Sequence, residues 1–145
     1  VSNNTLNFPL TINEKMNTKI LMTVSAIFMA IIGIFFTFLP KETAMFLNID
    51  ANLITILIMS LTGALYWGFG ILNWMAKETL IGGIYNRPIT LGNLLHFGTG
   101  GIALVKIVSD VERNSEIIIL LSVVYSVFAI FFAYVFKTNP SKIKK

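Results

Sequence analysis

His96 is the single histidine of the chain and stands near the middle of a segment without charged residues, Pro88–Val105. Asn93 precedes it by three residues, so both side chains share one side of a helix. An ionisable side chain that lies in hydrocarbon indicates a functional site. The alternative is a neutral imidazole that fastens two helices with a hydrogen bond. Both interpretations remain open from the sequence.

A second uncharged segment, Leu53–Ala76, carries further polar and aromatic side chains. Tyr66 and Asn73 are seven residues apart and share one helical side. Trp67 lies three residues before Gly70, where its ring either shapes a pocket or fills the gap that glycine leaves. We expect a ligand, if one binds, to lie between these two segments. The hypothetical ligand-binding residues are Tyr66, Trp67, Gly70, Asn73, Asn93 and His96.

Lys77 and Arg87 flank the connection between these segments. Arg forms paired hydrogen bonds with phosphate and carboxylate oxygens, so the two residues are candidates for contact with a lipid head group. The other interpretation is that they only mark the cytoplasmic side of a membrane protein.

Several kinds of chemistry find no support in the composition and motifs. The chain has no cysteine and one histidine, which excludes thiolate chemistry and a metal site of several histidines. No uncharged segment can hold a carboxylate pair, and no nucleotide-binding or hydrolase motif is present. We predict no catalytic residue, metal or cofactor, and an enzyme acting on a lipid ranks third among the functions considered.

The elements that position these residues are four uncharged segments, each long enough to cross a bilayer. At about 1.5 Å per residue, roughly 20 residues span a hydrocarbon core of about 30 Å. The mean hydropathy is +0.77 and charged residues make up 12% of the chain. The sequence therefore predicts an all-α integral membrane four-helix bundle with antiparallel up-down-up-down order. Its spans cover about 20–39, 53–76, 88–105 and 117–136.

Lys and Arg residues concentrate on alternate loops and thus predict the orientation. Lys15, Lys19, Lys77 and Arg87, with the lysines after residue 136, fall on one side. Cytoplasmic loops carry the excess of Lys and Arg. We expect a multi-pass protein of the bacterial inner membrane with both termini cytoplasmic.

The two ends of the chain differ from its membrane domain, residues 16–137. Residues 1–15 form a polar extension whose composition is compatible with disorder, and Met16 is a candidate start. Residues 138–145 form a basic tail that favours an anionic membrane surface. Nucleic acid is not an expected partner, because the net charge of +4 comes with no recognition element.

Each span carries a row of small or polar residues that we expect to face the bundle centre, because small residues allow helices in lipid to approach closely. The large side chains on the other sides are expected to face lipid or a partner subunit. These outward residues are Ile31, Phe35, Phe36, Ile118, Phe128 and Phe132. The segment Lys41–Asn52, between the first two spans, predicts a short interfacial helix.

The segment Gly63–Lys77, followed by Asn86–Ile89 and a glycine-rich third span, resembles small bacterial four-span proteins of the DoxX-like type. The resemblance covers roughly residues 16–140 and implies a four-span layout. DoxX-like proteins have been linked to redox partners or quinone-type chemistry, but that link extends to no residue of this chain.

Two functions remain open at this level. The first is a non-enzymatic accessory or structural subunit that packs with itself, as a homo-oligomer, or in a larger membrane complex. The alternative is a binding protein or carrier for a small apolar or amphipathic ligand, such as a quinone or a lipid. Membrane lipid is an expected partner in both cases.

Overall fold

A computed structural model describes residues 18–78, 86–108 and 115–138, and within these ranges the chain is helical without strands. Four helices are long and apolar enough to cross a membrane by length and composition. The predicted all-α fold class is confirmed. The helices are α1 (Thr18–Phe38), α2 (Pro40–Phe46), α3 (Leu53–Ala76), α4 (Arg87–Ile107) and α5 (Ser115–Lys137).

The predictions for residues 1–15, Met16 and most of the tail lie outside the described residues. The same holds for residues 79–85 and 109–114. The four long helices begin within two residues of the predicted spans, and α3 has the predicted bounds at both ends.

Local sequence explains the short helix α2 and its boundaries. Pro40 occupies its first turn, where the missing N–H would have no helical partner. Asn48 ends it with a φ of 60°, and the backbone N–H of Ile49 returns to the carbonyl of Ala44 at 2.8 Å. Met45 and Phe46 are 65% and 69% exposed. A helix with large apolar side chains therefore exists where the sequence predicted one.

The helices form two hairpins, α1 with α3 and α4 with α5. In the first hairpin the backbones meet at glycines. A Cβ atom added to Gly63 would lie 2.7 Å from the backbone nitrogen of Thr37, and one added to Gly70 would lie 3.3 Å from the carbonyl oxygen of Ala26. The distance at Gly63 is too short for any Cβ atom, and that at Gly70 is tighter than most Cβ contacts, so the predicted role of small residues in packing holds for this pair.

Aromatic rings, rather than small residues, join the two hairpins. Phe28 of α1 contacts Phe97 of α4 and Phe128 of α5 at centroid distances of 6.2 and 5.6 Å and so reaches from one hairpin to the other. Within the second hairpin, Phe97 stacks on Phe128 and Phe132 at 4.6 and 5.8 Å. The expectation that Phe128 and Phe132 face outward was wrong, since they are 7% and 0% exposed. The two hairpins approach each other less closely than the helices within each hairpin do, so large side chains fill the space between them.

The other residues expected to face outward divide into two groups. Ile31 and Phe35 are 50% and 49% exposed, as predicted, whereas Phe36 and Ile118 are half-buried. Exposed Leu, Ile and Phe side chains cover the outside of all four long helices. Such a surface fits lipid as its solvent, and the chain is a multi-pass membrane protein by the length and composition of its helices.

The two ends of the bundle carry different charge. One end, called here the basic end, presents Lys19, Lys77, Arg87 and Lys137 among the described residues. Lys19 of α1 forms an exposed ion pair with Glu78, just after α3, at 2.9 Å. The hydrogen bond from Lys19, assisted by its charge, lowers the pKa of the Glu78 carboxyl below its ordinary value. The opposite end, where α2 lies, is called the α2 end.

Candidate functional site

The structure separates the six residues of the hypothetical ligand site into two groups. Tyr66, Asn73, Asn93 and His96 all point into the space between the two hairpins, where the hydrogen bonds and ring contacts described below connect them. Trp67 and Gly70 lie instead on the side of α3 that packs against α1. The first group therefore defines a polar interior, and the second belongs to the packing of one hairpin.

Asn73 and Asn93 form a reciprocal amide pair, called here the asparagine clasp. Each side-chain NH₂ group donates to the other residue's carbonyl oxygen at 2.7 Å. The remaining hydrogens are also used: Asn73 donates to the Ser25 hydroxyl at 3.0 Å and Asn93 to the Ile89 carbonyl at 2.9 Å. Both residues are fully buried. The clasp ties α1, α3 and α4 together and has no N–H left for a ligand.

Tyr66, Tyr125 and His96 form a second polar group, called here the hydroxyl–imidazole chain. The hydroxyls of Tyr66 and Tyr125 contact each other, and the Tyr125 oxygen lies 3.5 Å from Nε2 of His96. These residues come from α3, α5 and α4, so the chain crosses the interior of the bundle. Tyr125 was not predicted as a site residue, although a tyrosine hydroxyl in mid-span needs a partner and thereby indicates a polar contact.

Aromatic rings surround the His96 imidazole on several sides. Tyr66 and Phe97 meet it edge to face at centroid distances of 5.1 and 5.0 Å, and Phe69 stacks on it at 5.5 Å. No carboxylate is among its contacts in the described part of the chain. Rings thus lie on several sides of the imidazole, which is half-buried at one end of the hydroxyl–imidazole chain.

Gly100 makes room for Tyr125. A Cβ atom added to Gly100 would lie 2.6 Å from Cε1 of Tyr125 and 2.9 Å from its Cδ1. Because Gly100 follows His96 by one helical turn, the same face of α4 supplies both the imidazole and the slot for the tyrosine ring. The glycine therefore has a positional role in this interior.

Trp67 and Gly70 border a shallow groove between α1 and α3 of about 340 Å³. The Trp67 ring contacts the backbone at Gly33, where an added Cβ would lie 3.0 Å from Cδ1 of the indole. Gly70 packs against Ala26 and Ala30. Both residues thus act in the close approach of α1 and α3 and stand away from the polar interior.

The two candidate head-group residues, Lys77 and Arg87, both lie at the basic end. The Lys77 ammonium nitrogen stands 3.1 Å from the centre of the Trp74 ring, and the Arg87 guanidinium carbon stands 5.1 Å from that of Phe136. Cation–π contacts of this kind hold basic side chains against the helix ends. Contact with a lipid head group remains a prediction for both residues.

Two cavities bear on ligand binding. Between α3 and α4, next to the asparagine clasp, there is a groove of about 220 Å³ that Phe69, Gly92 and Pro88 also line. A larger cavity of about 620 Å³ lies at the α2 end, called here the α2 cavity. Ligand pockets in proteins have about 300–1,000 Å³, so the second is of ligand size and the first is smaller.

All five helices contribute to the α2 cavity. Its wall is mostly apolar, and Glu42, Thr43 and Tyr66 are its polar members. Tyr66 lies about 20 Å along α3 from Leu53 at about 1.5 Å per residue, which places it deep in the bundle. The complete lining is Ile32, Phe35, Phe36, Leu39, Glu42, Thr43, Phe46, Leu47, Tyr66, Leu104, Ile117 and Leu121.

The direction of the helices turns Tyr66 toward this cavity. Side chains of an α-helix lean toward its N-terminus. The N-terminus of α3 is at the α2 end, so the Tyr66 ring leans toward the cavity. The hydroxyl–imidazole chain therefore runs from His96 through Tyr125 to a residue of the cavity wall.

No group of three His, Asp or Glu side chains could hold a metal ion within residues 18–78, 86–108 and 115–138. Comparison with family models, with curated proteins and with solved structures finds no match for this chain. The resemblance to DoxX-like proteins stays a prediction, and function has to be inferred from the side chains and their geometry.

Proposed function

We propose that this small multi-pass membrane protein binds an amphipathic, lipid-like molecule in the α2 cavity. The observation that carries the proposal is the cavity itself, with about 620 Å³ of space and a mostly apolar wall supplied by all five helices. Ligand sites are concave and mostly apolar, with a few polar groups that fix the orientation of the ligand. Glu42, Thr43 and Tyr66 are such groups.

The surroundings of the cavity favour a ligand taken from the bilayer. Phe35 and Leu39 of its wall are 49% and 40% exposed on the outside of the bundle, so the cavity borders the lipid-facing surface. A molecule already dissolved in the bilayer would reach it without crossing water. The hydrocarbon chain of a bound lipid would make van der Waals contacts with the cavity wall, which an empty cavity lacks.

This proposal moves the ligand from the interface of α3 and α4, where the sequence suggested it, to the α2 end. Of the six residues of that hypothesis, Tyr66 lines the α2 cavity. The asparagine clasp instead fixes the helices that border the other side of the interior. In this view Asn73 and Asn93 support the site without contacting the ligand.

We further propose that the basic end faces the cytoplasm of a bacterial cell and that the α2 cavity opens in the outer leaflet of the inner membrane. The support is the charge of the two ends, because cytoplasmic segments carry the excess of Lys and Arg. Lys41 and Lys106 are the described basic residues toward the α2 end. A reporter fused to Lys145 and active only in the cytoplasm would agree with this orientation.

Photolabelling of the full-length protein in lipid nanodiscs tests ligand binding. The probe is hexadecanol with a diazirine in its chain, and mass spectrometry identifies the labelled residues. We expect saturable labelling of the α2 cavity that unlabelled hexadecanol prevents. Leu121→Trp, which replaces an aliphatic side chain of the cavity wall with a larger aromatic ring, is expected to weaken binding about 10-fold or more by steric exclusion.

Leu120→Trp is the matched control, because Leu120 is the neighbouring residue, is 63% exposed, and faces away from the cavity. The Leu120→Trp variant should be photolabelled to the same extent as the unmodified protein. Labelling that never saturates, or that is equal in the two tryptophan variants, would contradict the proposed binding function.

A second candidate is the accessory subunit that packs with itself or with other membrane proteins. A specific feature favours it: Ala64 and Gly68, one turn apart, lie on the exposed side of α3, and a Cβ atom added to Gly68 would meet nothing within 4 Å. Small residues at this spacing promote helix association in lipid. Repeated isolation of a monomer in mild detergent, unaffected by Gly68→Leu, would oppose this candidate.

A further inference from the structure

We propose that the ligand of the α2 cavity is a long-chain molecule with one uncharged oxygen group, a hydroxyl or a carbonyl, which points inward and hydrogen-bonds to the hydroxyl of Tyr66. This inference rests on the proposed binding function and adds the chemistry of the head group and its orientation. It follows from the hydrogen-bonding capacity of the hydroxyl–imidazole chain and from the charges around the cavity.

The Tyr66 hydroxyl can make one further hydrogen bond, whichever ring nitrogen of neutral His96 carries the proton. If Nε2 carries the proton, His96 donates to Tyr125 and Tyr125 donates to Tyr66, which leaves the Tyr66 O–H to donate. If Nε2 is bare, the donation runs the other way and the Tyr66 oxygen is left to accept. Tyr66 has no other hydrogen-bond partner among the described residues, so a ligand oxygen completes the chain in either case.

The charge of the cavity wall selects an uncharged group. No Lys or Arg is among the described residues that line it, and its one charged member, Glu42, is exposed at the α2 end. A carboxylate or phosphate beside Tyr66 would lose its hydration without a counter-ion, which is costly in a medium of low dielectric constant. A hydroxyl or carbonyl loses far less and regains one hydrogen bond.

A ligand in the opposite orientation, with its polar group at the α2 end, would gain less free energy from hydrogen bonds. The Thr43 hydroxyl already donates to the Leu39 carbonyl at 2.7 Å, so it can accept from a ligand hydroxyl but has no hydrogen for a ligand carbonyl. Glu42 is exposed, and a bond to it would largely replace one that water can make. A hydrogen bond at Tyr66 forms away from water, where it is worth more.

The test compares competitors for the photolabelled site at equal mole fraction in the nanodisc: hexadecanol, hexadecane and hexadecanoate. We expect hexadecanol to compete about 3- to 10-fold better than hexadecane, the contribution of one hydrogen bond. Hexadecanoate should compete less well than hexadecanol. Tyr66→Phe should remove the advantage of the alcohol over the alkane while hexadecane competes as before.

Tyr134→Phe is the matched control, since Tyr134 lies on the outside of α5 and is 49% exposed. It should leave the preference unchanged. A diazirine at the terminal carbon gives the orientation: an inward head group places the label near Phe35, Leu39 or Phe46, whereas an outward head group places it beside Tyr66.

The outcomes separate the two proposals. Equal competition by hexadecanol and hexadecane, or labelling beside Tyr66 by the terminal diazirine, overturns the inward polar contact and leaves the binding function standing. Stronger competition by hexadecanoate than by hexadecanol overturns the uncharged head group. If no probe labels the cavity saturably, the binding function fails and this inference fails with it.

Discussion

The two halves of the bundle differ in how their polar groups are paired, although both have space beside them: a groove of about 490 Å³ lies between α1 and α5 toward the basic end, and one of about 620 Å³ at the α2 end. Toward the basic end, the asparagine clasp uses every side-chain hydrogen that it has, and Met22 and Met29 are fully buried beside it. Toward the α2 end, the hydroxyl–imidazole chain ends at Tyr66, whose hydroxyl can make one more hydrogen bond. Tyr66 also lines the α2 cavity of about 620 Å³. A polar group whose hydrogens are all used fixes the helices that it joins, whereas one with unused hydrogen-bonding capacity beside a cavity can bind a ligand.

The clasp and the hydroxyl–imidazole chain also differ in how many helices they join. The clasp connects α1, α3 and α4, and the chain connects α3, α4 and α5. Together they hold both hairpins at the same two helices, α3 and α4. We infer that the α2 end can keep its open space because the hairpins are fastened elsewhere.

The largest expected change in the free energy of unfolding is that of Gly63→Ala, a variant that tests whether the open space at the α2 end extends between α1 and α3. Gly63→Ala places a methyl group 2.7 Å from the backbone nitrogen of Thr37, so α1 and α3 must move apart. We expect a loss of about 2–3 kcal/mol in the free energy of unfolding, measured by denaturation in detergent micelles.

Gly68→Ala is the control, because its methyl group meets no atom within 4 Å. Its stability should be unchanged or raised, as alanine is the better helix former. If Gly63→Ala is as stable as Gly68→Ala, the hairpin itself is loose at this end, and the space is not confined to the cavity.

A second comparison places the same large ring in each half. Met22→Trp adds volume to a fully buried position toward the basic end and should reduce the free energy of unfolding by about 1–3 kcal/mol. Leu121→Trp adds similar volume at the α2 cavity, where we expect a change within about 0.5 kcal/mol or a gain. Equal destabilisation by both variants would mean that the two halves are packed alike.

The asparagine clasp gives a third, smaller effect. Asn73→Leu removes one partner of the reciprocal pair and leaves the buried Asn93 amide short of a hydrogen bond, at a cost of about 1–2 kcal/mol in the free energy of unfolding. Adding Asn93→Leu removes the orphaned amide, so the double variant should lose less than the sum of the two single changes. Strict additivity would show that the two residues do not act as a pair.

The smallest effect concerns the exposed ion pair at the basic end. Because Lys19 lowers the pKa of the Glu78 carboxyl below its ordinary value of 4.5, the pair stabilises the fold above that value. The contribution disappears as pH falls through the lowered pKa of the folded state. Lys19→Met should remove this part of the pH dependence, and salt should weaken it in the unmodified protein. The measurement is the midpoint temperature of thermal unfolding as a function of pH, compared between the unmodified protein and Lys19→Met.

The sequence predicted the course of the chain well because lipid imposes strict rules on it. Charged residues are excluded from hydrocarbon and backbone groups must pair within each span, so four uncharged segments became four helices. A short helix within Lys41–Asn52 was predicted from apolar residues among polar ones, and the structure gives its bounds as Pro40–Phe46.

The candidate site could be predicted only in part. The sequence indicated that Tyr66, Asn73, Asn93 and His96 need polar partners within the membrane, and the structure gives those partners in the interior, whereas contact with a ligand stays a prediction. Tyr125 was missed, and Phe128 and Phe132 were placed on the wrong side, because the sequence does not show how far apart the hairpins stand. Within the first hairpin small residues meet at close approach, as at Gly63, whereas the ring of Phe28 and the amides of Asn73 and Asn93 reach across the wider space between the hairpins.

The sequence by itself determined that four helices form, where they begin and end, and which polar residues require partners within them. The tertiary structure alone decided that Asn73 pairs with Asn93, that Tyr66 meets Tyr125, and that a cavity remains beneath α2. The reason is physical: hydrophobicity and hydrogen-bonding need are properties of single residues. Pairing and empty space are properties of the distances between helices, which arise only when all of them pack together.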